Sequence, residues 1–253
     1  MKIGFLITGR MKSSRLPRKL TLKILDKEII SWMIDRAKLY FKNDEIVIAT
    51  STNPQDDVLE EIAKENDVKI FRGDEDDVVL RLYEAATENN FQYFINITAD
   101  CPLFGFDYLD KIIKLMIDSN ADLATSLDLP HGVFTYGIKT EALRKVIEIK
   151  KTNNTEVWGD YFYNNPEIFK VVKLNVDEDE KREKYRLTVD YHEDFMLFEK
   201  IFQHFGLNTY KVTTSELIYF LDENPEISKI NIDCNKLYLD RWEAQKATKI
   251  ERE

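Results

Sequence analysis

Through its first half, this chain alternates short apolar runs with longer segments of helical periodicity. The runs are apolar throughout rather than at every second position, and they lie at 3–8, 45–50, 68–71 and 93–98. Strands of this kind are buried on both faces of a sheet. The alternation therefore predicts an α/β fold in which a mostly parallel, Rossmann-like sheet is covered by flanking helices.

The helices of the first half follow these strands, and the second half of the chain is less regular. We expect helices at 28–41, 56–66, 75–89 and 107–119, and a short strand at 122–126. Further along, the pattern predicts strands at 137–139, 169–176 and 187–190, and helices at 140–150, 193–205, 216–223 and 236–249. A length of 253 residues fits one domain, 1–253, with a large buried core.

Charge and cysteine content exclude several classes of protein. The formal net charge of −10 argues against a nucleic-acid polymer as partner, because such proteins usually carry a basic field. Cys101 and Cys234 lack a CxxC or Cys/His neighbourhood, which argues against a zinc site and fits a reducing compartment. The first apolar run is too short for a signal peptide or a membrane span, so we expect a cytoplasmic protein with no membrane partner.

The segment 8–19, directly after the first predicted strand, concentrates positive charge. It carries five cations, three hydroxyls and a glycine in an otherwise acidic chain. Polyphosphates are bound by this combination of cations, hydroxyl donors and closely approaching backbone N–H groups. Neither GxxxxGK[ST] nor GxGxxG is present, which excludes a Walker A loop and weakens a dinucleotide-binding hypothesis. A solvated basic turn is the alternative, but the position at a strand's carboxyl end favours a nucleoside triphosphate site.

Asp100 and Asp190 each end a strongly apolar run that is predicted to be a strand. Magnesium prefers carboxylate oxygens together with waters and substrate phosphates, so two carboxylates beside a triphosphate loop suit Mg²⁺. An aspartate at a strand end is also common as a helix N-cap or turn former, and this alternative stays open. The aromatic cluster at 158–163 also has two interpretations, a dimer contact or the wall of an acceptor site.

Several motifs in their order along the chain resemble the cytidylyltransferase family. The string LITGRMKSSRLPRK at 6–19 resembles the family's opening motif, and further matches lie at 49–51 with 56–57, 71–78, 96–103, and 186–190 with 193–194. Together they run from residue 3 to about 235. The family contains the enzymes that make CMP-activated 3-deoxy-2-keto sugars and the SpsF proteins of spore-coat polysaccharide synthesis, and the SpsF branch looks most similar.

The resemblance implies a sheet of the glycosyltransferase-A type with a smaller acceptor or dimerisation arm, at about 130–185, and hence a homodimer. It implies that Arg10, Lys19, Asp100 and Asp190 are catalytic and that Asp100 and Asp190 hold Mg²⁺. The nucleotide-binding residues implied are Thr8, Gly9, Arg10, Ser13, Arg15 and Lys19 around the triphosphate, and Ala49, Thr50, Ser51 and Asp74 near the base and ribose.

The predicted reaction is attack by an oxygen of an acidic sugar or related acceptor on the α-phosphate of CTP, with release of pyrophosphate, in surface polysaccharide or glycan synthesis. The alternatives are a sugar 1-phosphate nucleotidyltransferase and a non-catalytic nucleotide-binding protein. This sequence departs from the family at Thr8-Gly9, where Gln-Ala is usual, and at Lys12 and Arg18, which replace glycines. Phe134 and Tyr136 stand where SpsF-like sequences commonly carry acids, so the acceptor is not identified.

Overall fold

A computed structural model describes residues 1–240 of the chain. Its strands are β1 (Ile3–Thr8), β2 (Lys23–Ile24), β3 (Lys27–Glu28), β4 (Ile46–Ser51), β5 (Lys69–Gly73), β6 (Tyr93–Thr98), β7 (Leu123–Thr125), β8 (Tyr136–Lys139) and β9 (Val171–Lys173). Its α-helices are α1 (Ile29–Ala37), α2 (Val58–Glu65), α3 (Val78–Glu88), α4 (Leu109–Ser119), α5 (Thr140–Ile149), α6 (Gly159–Tyr163), α7 (His192–Phe205), α8 (Thr214–Glu223) and α9 (Pro225–Ser228). The chain is helical again over 234–240, and the remainder of the helix predicted at 236–249 lies outside the described residues.

Seven of these strands form one mixed, mostly parallel sheet, in the order β5-β4-β1-β6-β8-β7-β9. The central strand β1 pairs in parallel with β4 on one side and with β6 on the other. Only β8 runs against the rest, antiparallel to both β6 and β7. The predicted α/β class with a mostly parallel sheet is confirmed, while the reversed strand β8 is a feature that the alternation of strands and helices does not indicate.

Helices cover both faces of the sheet because successive strand residues point to opposite sides. On β1, Phe5 and Ile7 pack with residues of α1, α2 and α4, whereas Leu6 packs on the other face with residues of α3 and α5. All three side chains are fully buried. Each burial of this size stabilises the fold by about 1.5–3 kcal/mol relative to exposure. A separate core is formed by α7 and α8. No helix within residues 1–240 is long and apolar enough to cross a membrane.

The strand order reverses at β1, and this reversal positions the functional site. The chain moves outward from β1 through β4 to β5, and then returns to place β6 on the opposite side of β1. Thr8 and Thr98 are paired in register at the carboxyl ends of β1 and β6. In open α/β sheets, ligands bind in a crevice at the carboxyl ends of the strands where the strand order reverses in this way.

The segment 187–190 was predicted as a strand, and the structure shows that this is wrong. It is an irregular extended segment, and beside it Arg186 forms only an isolated bridge with His131. The N–H of Leu187 donates to the carbonyl of His131 at 2.6 Å, and that of Val189 donates to the carbonyl of Asp100 at 2.8 Å. Leu187 and Val189 are buried in the core formed by α7 and α8, so their apolar pattern reflects burial rather than sheet pairing.

Candidate active site

A cavity of about 240 Å³ opens at the carboxyl ends of β1 and β6. The loop after β1 forms one of its walls, and residues from the end of β6 form another. Of the residues predicted to bind the triphosphate, all six line it: Thr8, Gly9, Arg10, Ser13, Arg15 and Lys19. Asp100 lines the same cavity, so the structure brings the basic loop and one of the two predicted metal ligands together.

Lys19 lies between the two predicted metal ligands. Its Nζ is 2.5 Å from Asp100 Oδ2 and 2.8 Å from Asp190 Oδ1. Burial would lower the pKa of Lys19, but the two carboxylates outweigh it and raise that pKa above its usual value. Burial would likewise raise the pKa of Asp100, but the charge of Lys19 holds it well below its usual range. The ammonium and the Asp100 carboxylate are therefore both charged at neutral pH.

Asp190 is buried, and cations hold it from two sides. Arg15 Nη2 lies 2.5 Å from Oδ1, and Arg186 Nη2 lies 2.6 Å from Oδ2. The backbone N–H groups of Asp190 and Tyr191 both donate to Oδ2 of Asp194, at 2.9 and 3.0 Å. Asp194 lies in the first turn of α7, so the start of this helix fixes the position of Asp190.

The donor set at this point fits Mg²⁺ bound together with a phosphate. Two carboxylates converge on one place, and protein-bound Mg²⁺ usually takes one or two carboxylates and fills its other positions with waters and phosphate oxygens. Among residues 1–240, no three His, Cys, Asp or Glu side chains form a group that could hold a metal by themselves. The residues therefore do not fit a closed zinc-type site.

Two cations of the loop reach an acidic turn before α3. Arg10 Nη1 donates to the carbonyl of Glu75 at 2.6 Å and to Asp76 Oδ1 at 3.2 Å. Lys12 Nζ lies 3.1 Å from Glu75 Oε1. Arg81, on α3, is 1% exposed, lines the cavity and also donates to the Glu75 carbonyl, at 3.1 Å. Burial and the nearby Arg10 lower the pKa of Arg81 to about 10, which leaves it charged at neutral pH.

Three of the residues predicted near the base and ribose lie behind the loop and do not line the cavity as far as the structure describes the chain. Ala49, Thr50 and Ser51 are fully buried at the end of β4. The hydroxyls of Thr50 and Ser51 donate to Oδ2 of Asp56, at 3.1 and 2.5 Å. The other oxygen of Asp56 accepts the N–H of Met11 at 2.7 Å. These residues thus anchor the start of the loop, and their contact with a nucleotide stays a prediction.

Asp74, the fourth residue of that set, shapes the acidic turn. Its Oδ1 accepts the N–H groups of Asp76 and Asp77, at 2.9 and 2.8 Å. Its carbonyl accepts a hydrogen bond from Arg81. Asp74 therefore holds the turn that Arg10 contacts, and a direct role in binding ribose stays a prediction.

A second cavity, of about 550 Å³, adjoins the first. The residues that line both are Arg15, Asn96, Thr98, Glu156 and Trp158. Aromatic rings form much of the remaining wall: His131, Phe134, Tyr136, Tyr163 and Tyr238. A space of this size beside the first cavity suits a sugar-sized molecule. Within the aromatic cluster at 158–163, Trp158 and Tyr163 line this cavity, whereas Phe162 is buried in the core.

Sequence reasoning did not single out Asn96 and Arg81 as site residues, although both carry a detectable signal. Asn96 is a lone amide inside the apolar strand β6, and its Nδ2 donates to Thr8 Oγ1 at 2.6 Å. Arg81 is a cation on the buried side of α3. A polar residue at a position that the apolar pattern assigns to the core must find a buried partner, and here both occur beside the cavity.

The family model for cytidylyltransferases matches residues 5–222. The chain belongs to the cytidylyltransferase family. Among its relatives, an uncharacterised protein of Methanocaldococcus jannaschii is 34% identical over 232 residues, which cover 91% of this chain and 95% of that protein. The spore coat polysaccharide biosynthesis protein SpsF of Bacillus subtilis is 29% identical over 230 residues, with coverage of 88% and 95%. The 3-deoxy-manno-octulosonate cytidylyltransferase of Francisella tularensis is 25% identical over 218 residues, with coverage of 83% and 75%.

Solved cytidylyltransferase structures share the fold. The structure of a cytidylyltransferase from Leptospira borgpetersenii superposes with a TM-score of 0.83 at 30% identity, and the match covers 90% of this chain and 97% of that one. The structure of CMP:2-keto-3-deoxy-manno-octonic acid synthetase, which is complexed with CTP, gives a TM-score of 0.62 at 15% identity, with coverage of 81% and 99%. The predicted resemblance to the glycosyltransferase-A type of nucleotidyltransferase is thereby confirmed at the level of fold.

Proposed function

We propose that this chain is a Mg²⁺-dependent cytidylyltransferase that transfers CMP from CTP to an acidic, sugar-like acceptor and releases pyrophosphate. The observation that carries the proposal is the convergence of Lys19, Asp100 and Asp190 where the strand order reverses, beside a cavity rimmed by Arg10 and Arg15. Membership of the family supports the chemistry, and the names of the SpsF and octulosonate relatives support an acceptor used in surface polysaccharide synthesis.

The basic loop supplies the charge that the reaction needs. In-line displacement at the α-phosphate requires positioning and charge neutralisation more than covalent help from the protein. Arg10, Arg15 and Lys19 would offset the negative charge that grows on the leaving pyrophosphate. Bound Mg²⁺, held by Asp100 and Asp190, would neutralise phosphate charge and help to orient the acceptor.

The aromatic cavity would hold the acceptor beside the nucleotide. Its walls bury the acceptor and exclude water, which limits hydrolysis of CTP. His131 lines this cavity, but burial and the neighbouring Arg186 lower the pKa of its ring to about 4. So weak a base does not suit proton removal at neutral pH, because an efficient general base has a pKa near the working pH.

Replacing Asp100 tests the assignment. Asp100→Asn keeps the shape of the side chain and removes its charge, so we expect pyrophosphate release from CTP to fall at least about 100-fold while the protein stays folded. The matched control is Asp110→Asn, because Asp110 is exposed on α4, away from the cavity, and accepts a hydrogen bond from the Tyr40 hydroxyl. Near-normal turnover of the folded Asp100→Asn variant would rule out the proposed metal site.

The same assay separates the alternatives when each nucleoside triphosphate is paired with a panel of acidic sugars and sugar 1-phosphates. Release that depends on a sugar 1-phosphate would favour a sugar 1-phosphate nucleotidyltransferase. Saturable binding of CTP without pyrophosphate release for any pair would favour a non-catalytic nucleotide-binding protein.

We also propose a homodimer that forms through the region at about 130–185, and a cytoplasmic location. Tyr163 and Ile168 are exposed apolar side chains of that region, and they suit a protein contact. Cys101 and Cys234 are free and buried, as expected in a reducing compartment. Light scattering during size-exclusion chromatography measures the mass in solution, and a monomer at micromolar concentration would contradict the dimer.

A further inference from the structure

Arg186 is a buried cation that binds two carboxylates at once. Its side chain is 1% exposed. Nη2 donates to Asp190 Oδ2 at 2.6 Å, and Nε donates to Asp194 Oδ1 at 3.1 Å. The guanidinium group is planar and rigid, so these bonds fix its orientation as well as its charge. Removing one partner of a buried ion pair strongly destabilises a protein. The orientation of Arg186 is therefore fixed.

Asp194 is itself held by several donors and anchors the arrangement. It is fully buried, and besides Arg186 it accepts the N–H groups of Asp190 and Tyr191 on Oδ2. Asn231 Nδ2 donates to Asp194 Oδ1 at 2.7 Å and to the carbonyl of Arg186 at 2.9 Å. We call Arg186, Asp194 and Asn231 the Asp190 clamp.

The clamp divides the two oxygens of Asp190 between different tasks. Oδ2 is taken by Arg186 on the buried side. Oδ1 faces Lys19 and Arg15, on the side where Asp100 and the basic loop lie. Oδ1 is bonded too, but by partly exposed loop cations that would turn to the phosphates of a bound nucleotide, whereas Arg186 is buried and would stay on Oδ2. A metal ion would therefore meet Asp190 through Oδ1.

We propose that Arg186 is a positioning residue that restricts Asp190 to one metal-binding oxygen and thereby selects small octahedral ions against Ca²⁺. Mg²⁺ and Mn²⁺ take six ligands and fit carboxylates that each give one oxygen. Ca²⁺ takes six to eight oxygens and commonly binds a carboxylate through both. This inference rests on the proposed function, since it takes Asp100 and Asp190 as the residues that hold the metal.

The test is a binding measurement that needs no turnover. Mn²⁺ binding to the protein with CTP is followed by electron paramagnetic resonance, and Ca²⁺ is added as competitor. For the wild type we expect Mn²⁺ to bind at least about 10-fold more tightly than Ca²⁺. In Arg186→Lys the lysine keeps the charge but lacks the planar guanidinium that bonds Asp190 and Asp194 together. This change frees Asp190 Oδ2. The ratio of Ca²⁺ to Mn²⁺ affinity should then rise about 10-fold, and Asp194→Asn should move it in the same direction.

The matched control is Arg182→Lys, because Arg182 lies on the same segment but pairs with Asp222 in a partly exposed ion pair. This variant should keep the wild-type ratio. An unchanged ratio in folded Arg186→Lys, or a wild type that binds Ca²⁺ as tightly as Mn²⁺, would overturn the inference. A wild type that lacks the preference overturns the inference even if both clamp variants fail to fold. If the wild type binds no Mn²⁺ with CTP, or Asp190→Asn binds it as tightly, the proposed metal site fails instead.

Discussion

At the scale of single residues, Lys19 connects the two parts of the candidate site. One ammonium group bonds both carboxylates of the candidate metal site, and the carboxylates would repel each other without it. The same group belongs to the loop that is expected to meet the triphosphate. Phosphate oxygens and carboxylates therefore compete for one cation, and a metal ion and Lys19 compete for the same carboxylates.

Replacing Lys19 should separate these two competitions. In Lys19→Met the carboxylates lose their internal counter-ion, so Mn²⁺ should bind about 10-fold more tightly in the absence of CTP. CTP should bind at least about 10-fold more weakly, because a charge-assisted contact to phosphate is lost. Titration of Mn²⁺ by electron paramagnetic resonance and of CTP by calorimetry measures the two effects.

The control for this prediction is Lys12→Met, since Lys12 is an exposed cation of the same loop that pairs with Glu75. It should leave Mn²⁺ binding without CTP unchanged. The prediction fails if Lys19→Met binds Mn²⁺ no better than the wild type does.

At the scale of elements, the sequence predicts well where local pattern and burial agree. The first strand is observed at Ile3–Thr8, the range predicted, because its apolar run ends sharply at the polar loop. The segment 187–190 also carries buried apolar residues and is not a strand, because its backbone bonds to the carbonyls of His131 and Asp100 instead of to a neighbouring strand. The periodicity of apolar residues indicates that a segment is buried, but it does not indicate which backbone groups lie beside that segment.

The direction in which side chains point is a second feature of the elements that the sequence does not predict. The sequence places Thr50 and Ser51 at a strand end, where ligand contacts are common, but their hydroxyls turn to the buried carboxylate of Asp56. Similarly, the charge of the stretch 177–184 suggests an exposed turn, yet Glu180 is buried and accepts the hydroxyl hydrogens of Tyr108 and Ser215. Each of these carboxylates is satisfied by partners that local sequence does not reveal.

Gly132 should be essential for the segment that carries Asp190. Its φ is +92°, and a β-carbon at this position would overlap the carbonyl oxygen of Leu187. We expect Gly132→Ala to destabilise the protein by about 2–4 kcal/mol and to lower activity by displacing Asp190. Urea unfolding and the pyrophosphate assay measure these changes.

Gly159→Ala is the matched control, because a β-carbon there would be 3.4 Å from its nearest neighbour, which is ordinary contact. We expect this helical position to keep its stability or gain up to about 1 kcal/mol. Equal unfolding midpoints for the two variants would contradict the steric explanation.

At the scale of the whole molecule, the sequence predicts the fold class but not the order of the strands. Nothing in the local pattern of β8 shows that it runs antiparallel between β6 and β7. The pairing of Lys19 with Asp190, which lies 171 residues away, also depends on the complete topology. The resemblance to a family identifies both residues, because the motifs of a family include residues that meet in the folded structures of its members.

Binding of CTP should therefore stabilise the chain as a unit. The candidate site joins the loop after β1, the end of β6 and the segment before α7, so all three must be folded for CTP to bind. With free CTP at 100 times its dissociation constant, the free energy of unfolding should rise by about 2.7 kcal/mol. Urea unfolding with Mg²⁺, followed by tryptophan fluorescence, measures this rise, and ATP at the same concentration should give a smaller one. No change at saturating CTP would contradict the site.

The wide separation of the site's parts along the chain also has a consequence for synthesis in the cell. Asp190 follows Lys19 by 171 residues, so a ribosome adds it long after the basic loop, and Asn231 of the clamp comes later still. A chain made only as far as β6 therefore exposes the cations of the basic loop without the carboxylate that holds Arg15. Domains often begin to fold from the N-terminal end during translation. Here nucleotide binding would begin only when the segment that carries Asp190 has docked, which makes it a marker of chains that have folded through α7.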